Sequence, residues 1–248
     1  ERTYENVVAL RAVTSVDAAM VETLRTMQKL SVLLTKKRMK EGSIDFETSE
    51  AKFSFDENGS PSEIRRKARL RSHRLVEEFM LLANQVVAKH IGLVKKEDHR
   101  QPFLYRIHDS PDPDRIRELA AFVGQFGYKL SVDGSVRSQD LQKLLDQVRG
   151  SEVENVINEV ALRSMAKAVY SEQNIGHYGL GFPYYSHFTS PIRRYPDLVI
   201  HRLLKEYAQS ASLERRKEIE RRLPFIAKQS SVMERVAMEA ERAAVKVM

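Results

Sequence analysis

Gly176-His177-Tyr178-Gly179-Leu180-Gly181-Phe182-Pro183-Tyr184-Tyr185-Ser186-His187-Phe188-Thr189-Ser190-Pro191-Ile192-Arg193-Arg194-Tyr195-Pro196-Asp197-Leu198 concentrates glycines, aromatics and a double arginine as no other part of the chain does. Ser190 is a helix-capping residue type, and Pro191 suits the first turn of the helix it would open. The free N–H groups of such a turn form the positive end of the helix dipole, which is a ready anion site. Arg193 and Arg194 add planar guanidinium groups able to hold phosphate oxygens at two points. Tyr178, Tyr184, Tyr185, Phe188 and Tyr195 offer flat faces on which bases could stack. Together these features point to single-stranded nucleic acid. The same residues also suit a loop whose aromatics fill a core and whose arginines pair with acids such as Asp197. Pro196 must either kink the helix or begin a second one.

Upstream of this stretch, Ser151-Glu152-Val153-Glu154 reads as a capping box, and Val153, Val156, Ile157 and Val160 carry an apolar stripe toward Tyr170. Residues 100–150 read as a small α/β insertion: a strand over Phe103–Ile107, a helix opening at Asp112-Pro113 and stopping at Gly127, and a helix from Ser138 to Val148. Two long helices are expected nearer the front. One covers 16–41, with Ser15 as its cap and Gly42 as its stop; the other covers 68–91, with Leu75, Phe79, Leu82 and Val86 on one face and Glu78 beside it. Between them Ile44, Phe46, Phe53 and Phe55 lead through Asp56-Glu57-Asn58-Gly59 to Ile64 as one hairpin. Downstream come a helix with Ile200, Leu203, Leu204 and Tyr207 on one face, and a last helical stretch interrupted by Pro224.

At 248 residues and 42% hydrophobic content the chain can bury one substantial core or two modest ones. The absence of cysteine excludes disulfide frameworks, thiolate zinc sites and cysteine nucleophiles. No apolar run approaches the roughly 18 residues needed to cross a bilayer, so no membrane partner is expected. A formal charge of +7 favours a polyanionic partner, because Lys and Arg contacts to phosphates release counterions. The seven histidines are scattered without a metal-ligand spacing. Asp109-Ser110-Pro111-Asp112-Pro113-Asp114 reads as a turn with Asp112 as a cap, not as a cation loop.

The run His187 to Leu198, followed by His201-Arg202-Leu203-Leu204, resembles the signature of the ribonuclease II family. The likeness extends through Thr3-Tyr4-Glu5-Asn6-Val7, Gly42-Ser43-Ile44-Asp45-Phe46, Val76 to Asn84, Leu104-Tyr105-Arg106-Ile107-His108 and Glu239-Ala240-Glu241-Arg242. The Arg-Arg-Tyr-Pro-Asp wording is closest to the ribonuclease R branch. The resemblance implies an α+β, mostly helical fold: a single partial RNB catalytic domain over 1–248, its C-terminal portion, with a short hairpin and the small insertion near 100–150. It implies a 3′-to-5′ exoribonuclease that hydrolyses single-stranded RNA to nucleoside 5′-monophosphates, with magnesium held by aspartates and metal-assisted attack on the phosphodiester. A non-catalytic RNA-binding module that kept the fold without the metal site is the alternative, and a purely structural helical scaffold a third class.

Carried over by position, Arg193 matches the catalytic arginine that approaches the scissile phosphate and would stabilise its extra charge. Phe46 matches an aromatic that clamps the terminal bases, although a strand Phe also suits a core. Tyr4 and Glu78 match residues that bond the ribose, a way to read the 2′-hydroxyl; Glu78 could equally pair with Arg71 or Arg74. Glu241 matches a late acidic position near the RNA end, while His187, Ser190, Arg194 and Tyr195 line the RNA path within the signature. The family's aspartate cluster lies upstream of Thr3-Tyr4-Glu5-Asn6-Val7, so the magnesium ligands are expected before Glu1 and none in this chain. On that reading the chain is a fragment, inactive alone, from a cytoplasmic protein that also carries oligonucleotide-binding barrels.

Overall fold

The computed structural model describes residues 17–46, 51–57, 61–66, 70–93, 101–132 and 136–247. Helix α1 (Ala18–Glu41) starts where the Asp17 carboxylate accepts the Ala19 N–H at 3.1 Å. Asp17 therefore takes the capping role expected of Ser15, which lies outside the described residues. Gly42 closes the helix at φ +103°, a left-handed conformation that glycine adopts without strain. Strands β1 (Ala51–Phe55) and β2 (Pro61–Arg66) form the expected antiparallel hairpin, with Phe53 opposite Ile64. Ile44 and Phe46 precede β1 and are not part of it; Ile44 is a core residue and Phe46 packs beside the same core. Helix α2 (Arg71–Gly92) half-buries Leu75, Phe79 and Leu82 but leaves Val86, the last residue of the predicted stripe, exposed.

The chain divides into two compact units. The first takes in 1–40 and 49–83; the second takes in 41–48 and 84–248. In the second unit, β3 (Tyr105–Ile107) pairs antiparallel with β4 (Val169–Ser171), Arg106 facing Tyr170. A first cluster gathers Phe103, Leu104 and Tyr170 with Ile200 and Leu203 of α6 (Tyr195–Ala208) and Leu223 of α7 (Leu213–Val247). A second cluster joins α3 (Pro113–Gly124), α4 (Ser138–Val148) and α5 (Glu154–Ser164) through residues such as Leu119, Leu144 and Ile157. These helices are amphipathic, and burying one face of each is what holds so short a set together.

The Asp112 carboxylate accepts the Asp114 N–H at 2.8 Å, so the acidic run is a cap as read from the sequence. Three expectations change. Ser151 does not form a capping box: its hydroxyl donates back to the Val148 carbonyl, while Glu154 reaches the Gly150 N–H at 2.7 Å. The helix begun at Glu154 ends at Ser164, and Tyr170 belongs to β4, because the chain must extend there to meet β3. Helix α7 runs through Pro224 without a break; Leu223 and Ala227 face the core while Pro224 is exposed, so its ring displaces no packed side chain.

Candidate functional site

Helix α6 begins at Tyr195, with Pro196 in its first turn, rather than at Ser190. Of the two readings of Pro196, it opens the helix, where a missing N–H costs nothing. Residues 190–194 instead make a tight turn in which the Ser190 carbonyl accepts the N–H of Arg193 at 3.3 Å and of Arg194 at 3.0 Å. Asp197 is fully buried (0% exposed). Its Oδ1 accepts the Ser190 N–H and Arg194 Nη2, both at 2.8 Å, and its Oδ2 accepts Arg194 Nε at 2.9 Å. The two arginines thus part company. Arg194 is held in a two-point ion pair, whereas the Arg193 side chain is exposed and makes no hydrogen bond or ion pair among the described residues. Ile192 and Tyr195 on either side are 93% and 56% exposed.

Behind the turn lies a polar-aromatic layer. His187 is partly buried, its Nδ1 2.8 Å from the Tyr170 hydroxyl and its ring edge-on to those of Tyr170 and Tyr185. Burial pushes its pKa down to about 2, and the charges of Arg194, Arg106 and Arg193 add to the effect. His187 is therefore a neutral ring near the arginines. His177 is likewise pushed down to about 3, by burial first and then by His108 and Arg106. Asn84 of α2 ties the layer together: its Nδ2 donates to the Tyr185 hydroxyl at 3.1 Å, and its Oδ1 accepts the Phe188 N–H at 2.9 Å. The Phe188 ring stacks on His201 at 4.1 Å. Arg106 lies over the Tyr170 ring at 4.7 Å and pairs with Glu234 of α7 at 2.6 Å.

The other predicted residues are placed variously. Ser190 is fully buried (0% exposed); its Oγ, like that of Thr189, has no hydrogen-bond partner among the described residues. It is neither a helix cap nor part of a helix N-terminal anion site. Phe46 is half-buried beside the second core cluster. Glu78 is in the first unit, 4% exposed, with Arg38 Nη2 at 2.6 Å and Arg38 Nε at 3.2 and 3.4 Å from its two oxygens. Its ion-pair partner is thus an α1 residue. Glu241 lies in the part of α7 from Arg235 to Lys246 where every residue is exposed. Tyr4 lies outside the described residues.

Among the described residues no group of three or more His, Cys, Asp or Glu side chains is arranged to hold a metal ion. Those residues do not by themselves fit the magnesium site that the resemblance implies. No helix of the described residues is long and apolar enough to cross a membrane.

The RNB domain profile matches residues 1–210. This chain belongs to the RNB domain family. Ribonuclease R 1 of Lactococcus lactis is 40% identical over 227 residues, which cover 91% of this chain and 27% of that protein. Ribonuclease R of Thermotoga maritima is 42% identical over 220 residues, covering 86% and 30%. The chain spans under a third of the length of these curated relatives. Among solved structures, Mycoplasma genitalium RNase R in complex with ribose-methylated single-stranded RNA superposes with a TM-score of 0.86 at 28% identity, over 97% of this chain and 38% of that one. The mostly helical α+β fold is therefore of the RNB type.

Several members of this RNB layer escape a pattern reading. Asn84, Arg106 and Glu234 are each far apart in sequence from the residues they bind, and no local spacing announces such pairs. Asn84 gives one clue, a fully polar amide one turn after the Leu81-Leu82 pair on an amphipathic helix.

Proposed function

We propose that this chain is part of a 3′-to-5′ exoribonuclease, and that it receives the 3′ end of single-stranded RNA at the 190–195 turn. The reading rests on one observation: an exposed arginine without a protein partner among the described residues, set on a turn whose neighbouring arginine is neutralised by a buried carboxylate. The RNA-bound ribonuclease R structure supports RNA as the substrate class.

In this proposal Arg193 contacts the scissile phosphate and offsets the negative charge that builds in the transition state. Tyr195, exposed beside it, provides a stacking face, and Phe46 another. Tyr4 and Glu241 read the ribose end of the strand and His187 lines the path as a neutral ring, whereas Glu78, expected for the ribose, is buried against Arg38 and is assigned no RNA contact. Arg194 and Ser190 contribute through the turn they shape. Magnesium, when bound, would supply the activated water, through ligands expected from residues preceding Glu1. We also propose that the complete protein adds oligonucleotide-binding barrels, works in the cytoplasm, and uses 1–248 as a single partial RNB domain with its insertion near 100–150.

The test uses the complete polypeptide that contains this chain, a 5′-labelled single-stranded RNA and magnesium. Stepwise shortening from the 3′ end with release of nucleoside 5′-monophosphates is expected. Arg193→Ala should reduce kcat by about 10²-fold or more, the usual cost of losing a transition-state contact of this kind. RNA binding without shortening would instead identify a non-catalytic module, and a loss under twofold for Arg193→Ala would remove that residue from the chemistry.

A further inference from the structure

Asp197 of α6 is fully buried, and it is the group to which the turn is tied. Its Oδ1 holds the Ser190 N–H and Arg194 Nη2, and its Oδ2 holds Arg194 Nε. The Ser190 carbonyl in turn holds the N–H groups of Arg193 and Arg194. The Ser190 N–H and the Arg194 guanidinium are therefore fixed by one carboxylate, and the Ser190 carbonyl closes the turn on the next backbone N–H groups. Arg193 lies between these two fixed residues, and its own N–H is part of the ring. Little freedom remains except in its side chain, which faces outward.

We propose that Asp197 is the positioning residue for Arg193. Its effect is geometric and electrostatic at once. Geometrically, it sets the direction in which the Arg193 side chain leaves the turn. Electrostatically, it cancels the charge of Arg194, so an incoming phosphate meets one cationic fork at a defined place rather than two competing ones. An acid in the first turn of a helix is also favoured by the helix dipole. Arg194 and Asp197 are thus one device, and Arg193 is what the device presents. This inference rests on the proposed function for its consequence in catalysis, but not for the clamp itself.

The experiment is a double-mutant cycle in the complete polypeptide, with a proteolytic readout beside it. Asp197→Asn should lower kcat on single-stranded RNA by about 10²-fold with KM little changed, since a misplacement of about 1 Å costs that much. Arg193→Ala/Asp197→Asn should be no slower than Arg193→Ala alone, because Asp197 acts through Arg193. Multiplied losses would overturn the proposal, since a purely structural carboxylate weakens the enzyme whether or not Arg193 is present. Trypsin reads the clamp without any catalysis: cleavage after Arg193 should be about tenfold or more faster in Asp197→Asn, while cleavage after Arg106 inside β3 stays unchanged. Equal cleavage after Arg193, or a parallel rise at both sites, would overturn it. Should Asp197→Asn not fold, Arg194→Lys keeps the carboxylate and its bond to Ser190 but breaks the two-point fork; the same pattern of coupling and cleavage is expected, at smaller size. If the complete polypeptide fails to shorten RNA at all, the proposed function falls, and the trypsin comparison alone decides on the clamp.

Discussion

Lowering the pH from 7.5 to 5.5 should destabilise the second unit through two histidines. His177 and His187 are held neutral in the fold, at about 3 and about 2, against 6.5 for a free imidazole. The folded state thus binds fewer protons than the unfolded chain once the pH drops below 6.5. Stability from these groups is fully present above that value and is lost as the pH falls toward the folded values. For one such group the loss at pH 5.5 is RT ln(1 + 10), about 1.4 kcal/mol, against about 0.1 kcal/mol at pH 7.5. The pair together therefore removes about 2.7 kcal/mol, a large share of a typical domain's margin. His108, also lowered by burial, acts in the same direction. Carboxylates do not confuse this window, because they titrate lower. The assay is NMR of histidine Cε1–H resonances across pH 5 to 8, paired with urea unfolding at 7.5 and 5.5. The His177 and His187 signals should stay unmoved while the unfolding free energy falls, and His187→Asn should cut the fall by about half, or about 1.4 kcal/mol. A His187 resonance titrating with its midpoint above 5.5 would refute the burial argument.

Three substitutions probe the supports of the site. Gly181→Ala places a Cβ at φ +64°, 3.0 Å from the Glu41 carbonyl oxygen and from the Gly42 carbonyl carbon; a loss of about 2 kcal/mol or more in unfolding free energy is expected from left-handed strain and backbone contact together. Asn84→Ala leaves the Tyr185 hydroxyl and the Phe188 N–H without their partner, for about 2–4 kcal/mol by urea unfolding and faster amide exchange at Phe188. Glu78→Ala removes the buried carboxylate bonded to Arg38 and should lower the unfolding free energy by urea melt, whereas Arg38→Met/Glu78→Met should recover part of that loss.

Periodicity located the long helices, the hairpin and the insertion because each is decided within a few residues: an apolar stripe, a capping acid at Asp112, a left-handed glycine at Gly42. The failures sit where tertiary contact overrules local signal. Ser151 had the composition of a capping box, but its hydroxyl donates back to the Val148 carbonyl. Val153 to Tyr170 looked continuous, yet β3 supplied ladder bonds that extended the chain at Val169. Pro224 looked like a break because the pattern does not say which side of a helix meets water. In the site, the presence of arginines and aromatics was legible, while the partners Arg38 and Glu234 were not, since each bridges a large gap in sequence.

The turn shows why two adjacent arginines cannot be given roles from their order alone. Arg193 and Arg194 carry the same side chain, and either could in principle meet a phosphate. What separates them is the position of Pro196, which starts α6 at Tyr195 and leaves Arg194 as the residue just before the helix. From there Arg194 is three residues from Asp197, close enough for both carboxylate oxygens to accept from it, and Arg193 is directed elsewhere. Had the helix begun at Ser190, the two arginines would have projected from successive positions about 100° apart around a helix, with no reason for one to be neutralised. A shift in the helix start thus turns a doubly charged surface into a single aimed charge. Behind it burial holds His177 and His187 neutral, so the positive charge that this turn offers to an anion comes from arginine.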